Sequence, residues 1–165
     1  MKIENENQLM NRLGIENWRY LSKDKVTEFV SMMPDIDKEV MFKIIKQFPE
    51  FSKFGRDALN ILNESTEQLS KSNSKDSKEY LEVIKETQSI LKKELDKNNI
   101  DSEERKYIIE QIMKIAEIVR DMEEGNKSFL NQFGGRQLKA ISILSASALT
   151  ILGGRAFINK FTDKL

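Results

Sequence analysis

The chain has 165 residues, of which 33% are charged and 39% hydrophobic, with seven Gly and two Pro, a composition that favours long helices and argues against disorder. This length allows one domain, or a small domain with a helical extension. The chain has no Cys, which excludes a disulfide framework, and no His, which excludes Ser-His-Asp and Cys-His nucleophile systems and the usual zinc sites.

Catalysis in such a chain would depend on Asp, Glu, Lys, Arg or Tyr, and no constellation of these residues indicates a reaction. We therefore expect a protein that is not an enzyme and that carries no cofactor and no metal. The first residues lack the basic-then-apolar layout of a secretory signal, so the expected location is the cytoplasm.

Residues 1–65 are predicted to form a small helical head. Most of the aromatic side chains fall between positions 18 and 54, where they suit a compact core: Trp18, Tyr20, Phe29, Phe42, Phe48, Phe51 and Phe54. Ser22 is the expected N-cap of a helix that continues to Met33 and is stopped by Pro34. Asp35 or Asp37 then caps a second helix. This helix ends before Pro49.

These two helices have the shape of a helix-turn-helix. Their lysines are offset by acidic residues, so the charge argues against recognition of nucleic acid. The spacing of Phe48, Phe51 and Phe54 predicts core packing, with a stacking platform for single-stranded nucleic acid as the alternative.

A long helix is predicted from Glu50 onward, followed by a break within the polar stretch 70–78, which has no apolar side chain. Residues 76–133 are predicted to form an antiparallel helical hairpin with coiled-coil-like stripes. Its first arm presents Tyr80, Ile84, Thr87 and Leu91. Its second arm, capped by Asp101 and Glu104 in a capping box, presents Ile108, Ile112, Ile115, Val119 and Met122.

Four glutamates of the second arm recur every seven residues: Glu103, Glu110, Glu117 and Glu124. This spacing places neighbouring carboxylates about 10 Å apart, too far to share an ion. We expect a solvated face with basic partners such as Lys106, Lys114 and Arg120, and not a metal site.

Residues 134–165 differ in charge from the remainder of the chain. They hold five basic residues and one acidic residue, so their net charge is +4 and the rest of the chain carries −4. Within them, residues 140–154 have no charged side chain. Fifteen helical residues cover about 22 Å of a hydrocarbon core of about 30 Å, so the run is short for a single membrane span.

The predicted contact site lies in this C-terminal apolar helix. Lys139 and Arg155 bracket the uncharged run, Phe157 extends its apolar character, and small residues spaced by four form a ridge: Ser142, Ala146, Thr150 and Gly154. Two interpretations remain open. In the first, the helix binds an anionic membrane, as in a membrane-active effector. In the second, it is part of the buried core of a soluble adaptor or regulatory module. The partner is then another protein or a second copy of the chain.

Overall fold

The computed structural model describes residues 2–19, 21–72 and 75–125. These residues form an all-α fold in which six α-helices follow one another: α1 (Glu6–Leu13), α2 (Lys23–Met32), α3 (Lys38–Ile45), α4 (Phe51–Ser72), α5 (Lys75–Leu95) and α6 (Ser102–Glu123). A 3-10 turn, Met33–Asp35, separates α2 from α3. The described residues contain no strand, and their one isolated parallel bridge joins Ile3 to Ile36.

Side-chain caps begin the helices where the sequence predicts them. The Ser22 side chain accepts a hydrogen bond from the backbone N–H of Lys25, and Asp37, the second of the two candidate aspartates, caps α3. The capping box of α6 is also confirmed, because Asp101 accepts from the N–H of Glu104 at 2.8 Å while the Glu104 carboxylate accepts from the N–H of Asp101 at 2.9 Å.

The first helix, α1, is not predicted by the sequence analysis. Asn5 caps it, Gly14 ends it with a φ of 63°, and Leu9 and Leu13 are fully buried. The Asn cap and the four-residue spacing of the two leucines are the signals that identify it in retrospect.

The break expected at residues 70–78 is narrower in the structure. Helix α4 continues to Ser72 and α5 begins at Lys75, so most of the polar stretch is helical. A helix without apolar side chains over several residues is stable here because both of its neighbouring segments are anchored in the core.

The aromatic cluster predicted for the N-terminal region is present and buried. Trp18, Phe29, Phe48 and Phe54 form edge-to-face pairs with ring centroids 5.2 to 6.1 Å apart, and Phe48 stacks on Phe54 at 4.4 Å. All four side chains are 5% exposed or less. Phe51 is likewise buried, which confirms that the three phenylalanines at spacings of three belong to the core.

The apolar stripes of α5 and α6 are buried as predicted, but their main packing partner is α4. Helix α4 runs antiparallel to α5, because Arg56 lies beside Leu95 and Thr66 lies beside Gln88. The predicted close pairing of α5 with α6 is wrong, since the backbones of α5 and α6 do not approach each other as closely as each approaches α4. An apolar stripe predicts that another helix covers it, but it does not predict which helix.

Buried side chains from each of the six helices join in one continuous hydrophobic core, which runs from Ile3 to Val119. None of the helices in the described part of the chain is long and apolar enough to cross a membrane. The predicted C-terminal apolar helix lies outside the described residues.

Candidate functional site

The described ranges contain a groove beside the aromatic cluster. It lies between the segment that joins α1 to α2 and the first turns of α4, and it has a volume of about 690 Å³. Trp18, Phe48, Pro49 and Phe54 line its apolar side. We call this feature the aromatic groove.

Glu6, on α1, holds the floor of the aromatic groove in place. Its Oε1 atom accepts a hydrogen bond from Trp18 Nε1 at 2.7 Å and another from Gln47 Nε2 at 2.9 Å. A carboxylate that accepts two hydrogen bonds fixes both donors more firmly than a neutral acceptor does. The indole is therefore oriented by a partner twelve positions earlier in the chain and tied to the end of α3.

Four charged side chains line the rim of the aromatic groove. Arg19 and Lys53 are exposed cations, and Glu50 and Asp57 supply the opposite charge. The one ion pair found among these four, between Lys53 and Glu50, is long at 3.9 Å and joins two exposed groups, so it contributes little. An apolar floor with a mixed rim suits an apolar side chain of a partner protein, with polar contacts around it.

A smaller cleft of about 300 Å³ lies where α3 meets the start of α6. Lys46, Arg105 and Lys106 line it together with Ser102. Two of these cations have partners already, because Lys106 pairs with Glu103 at 2.7 Å and the Arg105 guanidinium lies 5.4 Å from the centre of the Phe51 ring. The first turn of α6 is also acidic, so the cleft is not a strongly positive surface.

Two glutamates of the row on α6 pair with basic side chains. Glu103 binds Lys106, and Glu110 binds Lys38 at 2.8 Å and Lys114 at 3.5 Å. Arg120 pairs with Asp35 at 3.0 Å instead of with a glutamate of the row. In the described segments no group of three or more metal-ligating side chains is close enough to hold an ion.

The pKa values of two neighbouring groups on α6 are shifted in opposite directions. Partial burial favours the neutral form of Glu110, but hydrogen bonds and charge from Lys38 and Lys114 outweigh it and hold the Glu110 pKa below its ordinary value. Burial, with a smaller effect from the Glu110 charge, raises the pKa of Tyr107 to about 12. Glu110 therefore belongs to a structural ion pair, and Tyr107 is a half-buried phenol.

Another carboxylate with a lowered pKa is that of Asp37, next in the chain to Lys38. The Asp37 pKa is lowered by a hydrogen bond from Lys2, 3.0 Å away, and by the backbone N–H of Glu39. Asp37 thereby caps α3 and ties the N-terminal segment to it.

The contact residues predicted from the sequence lie outside the described residues: Lys139, Ser142, Ala146, Thr150, Gly154, Arg155 and Phe157. The structure therefore neither brings them together nor separates them. The aromatic residues of the groove are predicted from the sequence as core, whereas its charged rim is not predicted. No local pattern links Arg19 to Asp57, because these positions line one groove only through the packing of α2 on α4.

Comparisons with protein-family models, with curated proteins and with solved structures found no match for this chain.

Proposed function

We propose that this chain is a non-enzymatic helical interaction protein whose C-terminal segment contacts an anionic membrane, as in a membrane-active effector. The observation that carries the proposal is a contrast within the chain. The described helices bury their apolar stripes in one core and carry charged side chains on their surface, whereas residues 140–154 form an uncharged run bracketed by Lys139 and Arg155.

The dimensions of this run favour contact with the membrane surface over a single full span. A fifteen-residue helix is about 22 Å long, which is less than the hydrocarbon thickness of about 30 Å. Flanking cations extend such a segment, because their aliphatic stems lie in the apolar layer while the charges reach the headgroups. Each Lys or Arg near an anionic surface adds about 1 kcal/mol of attraction.

Vesicle flotation of the full-length protein tests this proposal. We expect flotation with vesicles of phosphatidylcholine and phosphatidylserine, and much less with phosphatidylcholine alone. The double variant Lys139→Glu/Arg155→Glu should lower partitioning at least about tenfold, because it reverses two attractive charges. Lys93→Glu, at an exposed position on α5, is the matched control and should float as the unmodified protein does. Absence of flotation with the anionic vesicles would rule out the membrane function.

A second candidate function is a soluble adaptor that binds a partner protein, or a second copy of itself, in the aromatic groove. The apolar floor and mixed rim of the groove favour it. Trp18 is the only Trp in the chain and lines the groove, so its emission reports occupancy. A shift in emission as protein concentration rises, abolished by Lys53→Glu/Asp57→Lys, would support self-association through the groove. An unchanged emission would argue against it.

A further inference from the structure

The rim of the aromatic groove carries two charges of opposite sign that lack an ion-pair partner. Arg19 lies on the segment that joins α1 to α2, and Asp57 lies on the second turn of α4. In the described ranges, the side chain of neither residue takes part in an ion pair or a hydrogen bond. The hydrogen bond that Arg19 donates to Asn17 comes from its backbone N–H.

Two basic side chains on the same helix as Asp57 have other partners. Lys53 lies 3.9 Å from Glu50, and Arg56 binds Asp96 at 3.1 Å. Asp57 is also half-buried, and a partly buried carboxylate without a partner is less favourable than one in water. A cation from outside this part of the chain would therefore stabilise it.

A second copy of the chain supplies both of the charges that the groove needs. A two-fold interface places the same patch of each copy against the other, so that residue i meets residue j and j meets i. The separation of Arg19 and Asp57 is the same in both copies, so two equivalent ion pairs close together. A strongly acidic or strongly basic partner would be attracted by one of these side chains and repelled by the other.

We propose that a second copy of this chain docks on the aromatic groove through a two-fold interface, in which Arg19 of each copy pairs with Asp57 of the other. This inference rests on the second candidate function, because it names the partner of the groove. The apolar contact comes from Leu21, which is half-buried, and Pro49, which is exposed. The aromatic floor is 5% exposed or less, so it supplies the shape of the groove more than its accessible area.

The net charge of the chain permits this association. Lys plus Arg equal Asp plus Glu at 27 each, so two copies have no net repulsion to overcome. Ion pairs on an exposed rim contribute little and are weakened by salt. We therefore expect a reversible dimer whose stability falls as the salt concentration rises.

Sedimentation velocity of the full-length protein at rising concentration tests this interface. We expect a monomer that converts to a dimer. Arg19→Asp and Asp57→Arg should each weaken dimerisation at least about tenfold, because each replaces two attractive contacts by two repulsive ones. Lys93→Glu and Glu117→Lys, at exposed positions outside the groove, are the charge-matched controls and should dimerise as the unmodified protein does.

A mixture of the two single variants gives the sharpest result. Equal amounts of Arg19→Asp and Asp57→Arg should form a dimer again, because each contact then joins one acidic to one basic side chain. The double variant Arg19→Asp/Asp57→Arg should also dimerise, since it exchanges the two charges within one chain. A variant that fails to fold could not restore the dimer, so the mixture separates loss of the contact from loss of the structure.

Three outcomes overturn the inference: a monomer at every concentration of the unmodified protein, a dimer that both single variants keep, and a mixture that stays monomeric. A concentration-dependent shift in Trp18 emission without a dimer in the mixture would overturn the pairing of Arg19 with Asp57 and leave the adaptor function standing. Flotation tests the membrane function separately, because its variants at Lys139 and Arg155 leave the groove unchanged.

Discussion

Glu110 connects two helices through charge. Its carboxylate on α6 binds Lys38, the first residue of α3, and also Lys114 one turn later on its own helix. The positions of Lys38 and Glu110 are 72 residues apart, so this pair forms only in the folded chain. Because its pKa is lowered by folding, Glu110 stabilises the fold only while it is ionised.

Replacement of Glu110 by Gln should therefore alter stability in a pH-dependent way. The Glu110 contribution is complete above the ordinary glutamate pKa of 4.5 and is lost as pH falls below that value through the lowered pKa of the folded state. We expect Glu110→Gln to cost less than about 1 kcal/mol at pH 7 and nothing in strong acid, as measured by urea unfolding from pH 7 to pH 2.

Glu117→Gln is the matched control for this prediction, since Glu117 belongs to the same row and is exposed. It should lower stability less than Glu110→Gln does at pH 7. Parallel pH profiles for the unmodified protein and Glu110→Gln would contradict the structural role assigned to the Glu110 ion pairs.

At the scale of helices, the seam between α4 and α5 depends on a glycine. A Cβ atom on Gly55 would lie 2.8 Å from Cδ1 of Leu95, closer than van der Waals contact. Leu95 is 1% exposed and cannot move out into solvent. Gly in the middle of a helix costs about 1 kcal/mol relative to Ala, so its presence in α4 is explained by the close approach of α5.

Gly55→Ala should destabilise the protein by about 1 kcal/mol, because overpacking of 1–3 kcal/mol outweighs the gain in helix propensity. Asn60→Ala, at an exposed position in the same helix, should instead be neutral or slightly stabilising. In a double-mutant cycle with Leu95→Ala, the two changes should cost less together than the sum of their separate costs. Additive costs, measured by chemical unfolding, would show that the two side chains do not compete for space.

Helix ends and the buried sides of helices could be predicted from the sequence, because the residues that determine them lie within a few positions of one another. Ser22 and Asp101 cap helices because their side chains satisfy N–H groups within three residues, and Pro34 ends α2 because it lacks an N–H and fixes φ. The stripes of α5 and α6 identify their buried sides for the same reason.

Contacts between distant positions could not be predicted in this way. An apolar stripe is satisfied by any helix of matching shape, so periodicity alone favoured α6 as the partner of α5 where the structure has α4. The Glu6 contacts with Trp18 and Gln47, and with them the floor of the aromatic groove, depend on the path of the chain between helices. Charged rim residues such as Asp57 carry no sign of a groove until the helices are in place.

At the scale of the whole molecule, the remaining question is how the C-terminal segment contributes to stability. The core formed by α1 to α6 is continuous within the described residues. A chain ended after Gly134 should therefore keep a cooperative thermal transition.

We expect this truncation to shift the midpoint of thermal unfolding by less than about 4 °C, as followed by circular dichroism, since 1 kcal/mol corresponds to about 2–4 °C in a chain of this size. Loss of the cooperative transition would place residues 140–154 in the core and favour the adaptor function. A retained transition would show that these residues are separable from the core, and would leave flotation as the measurement that decides what they contact.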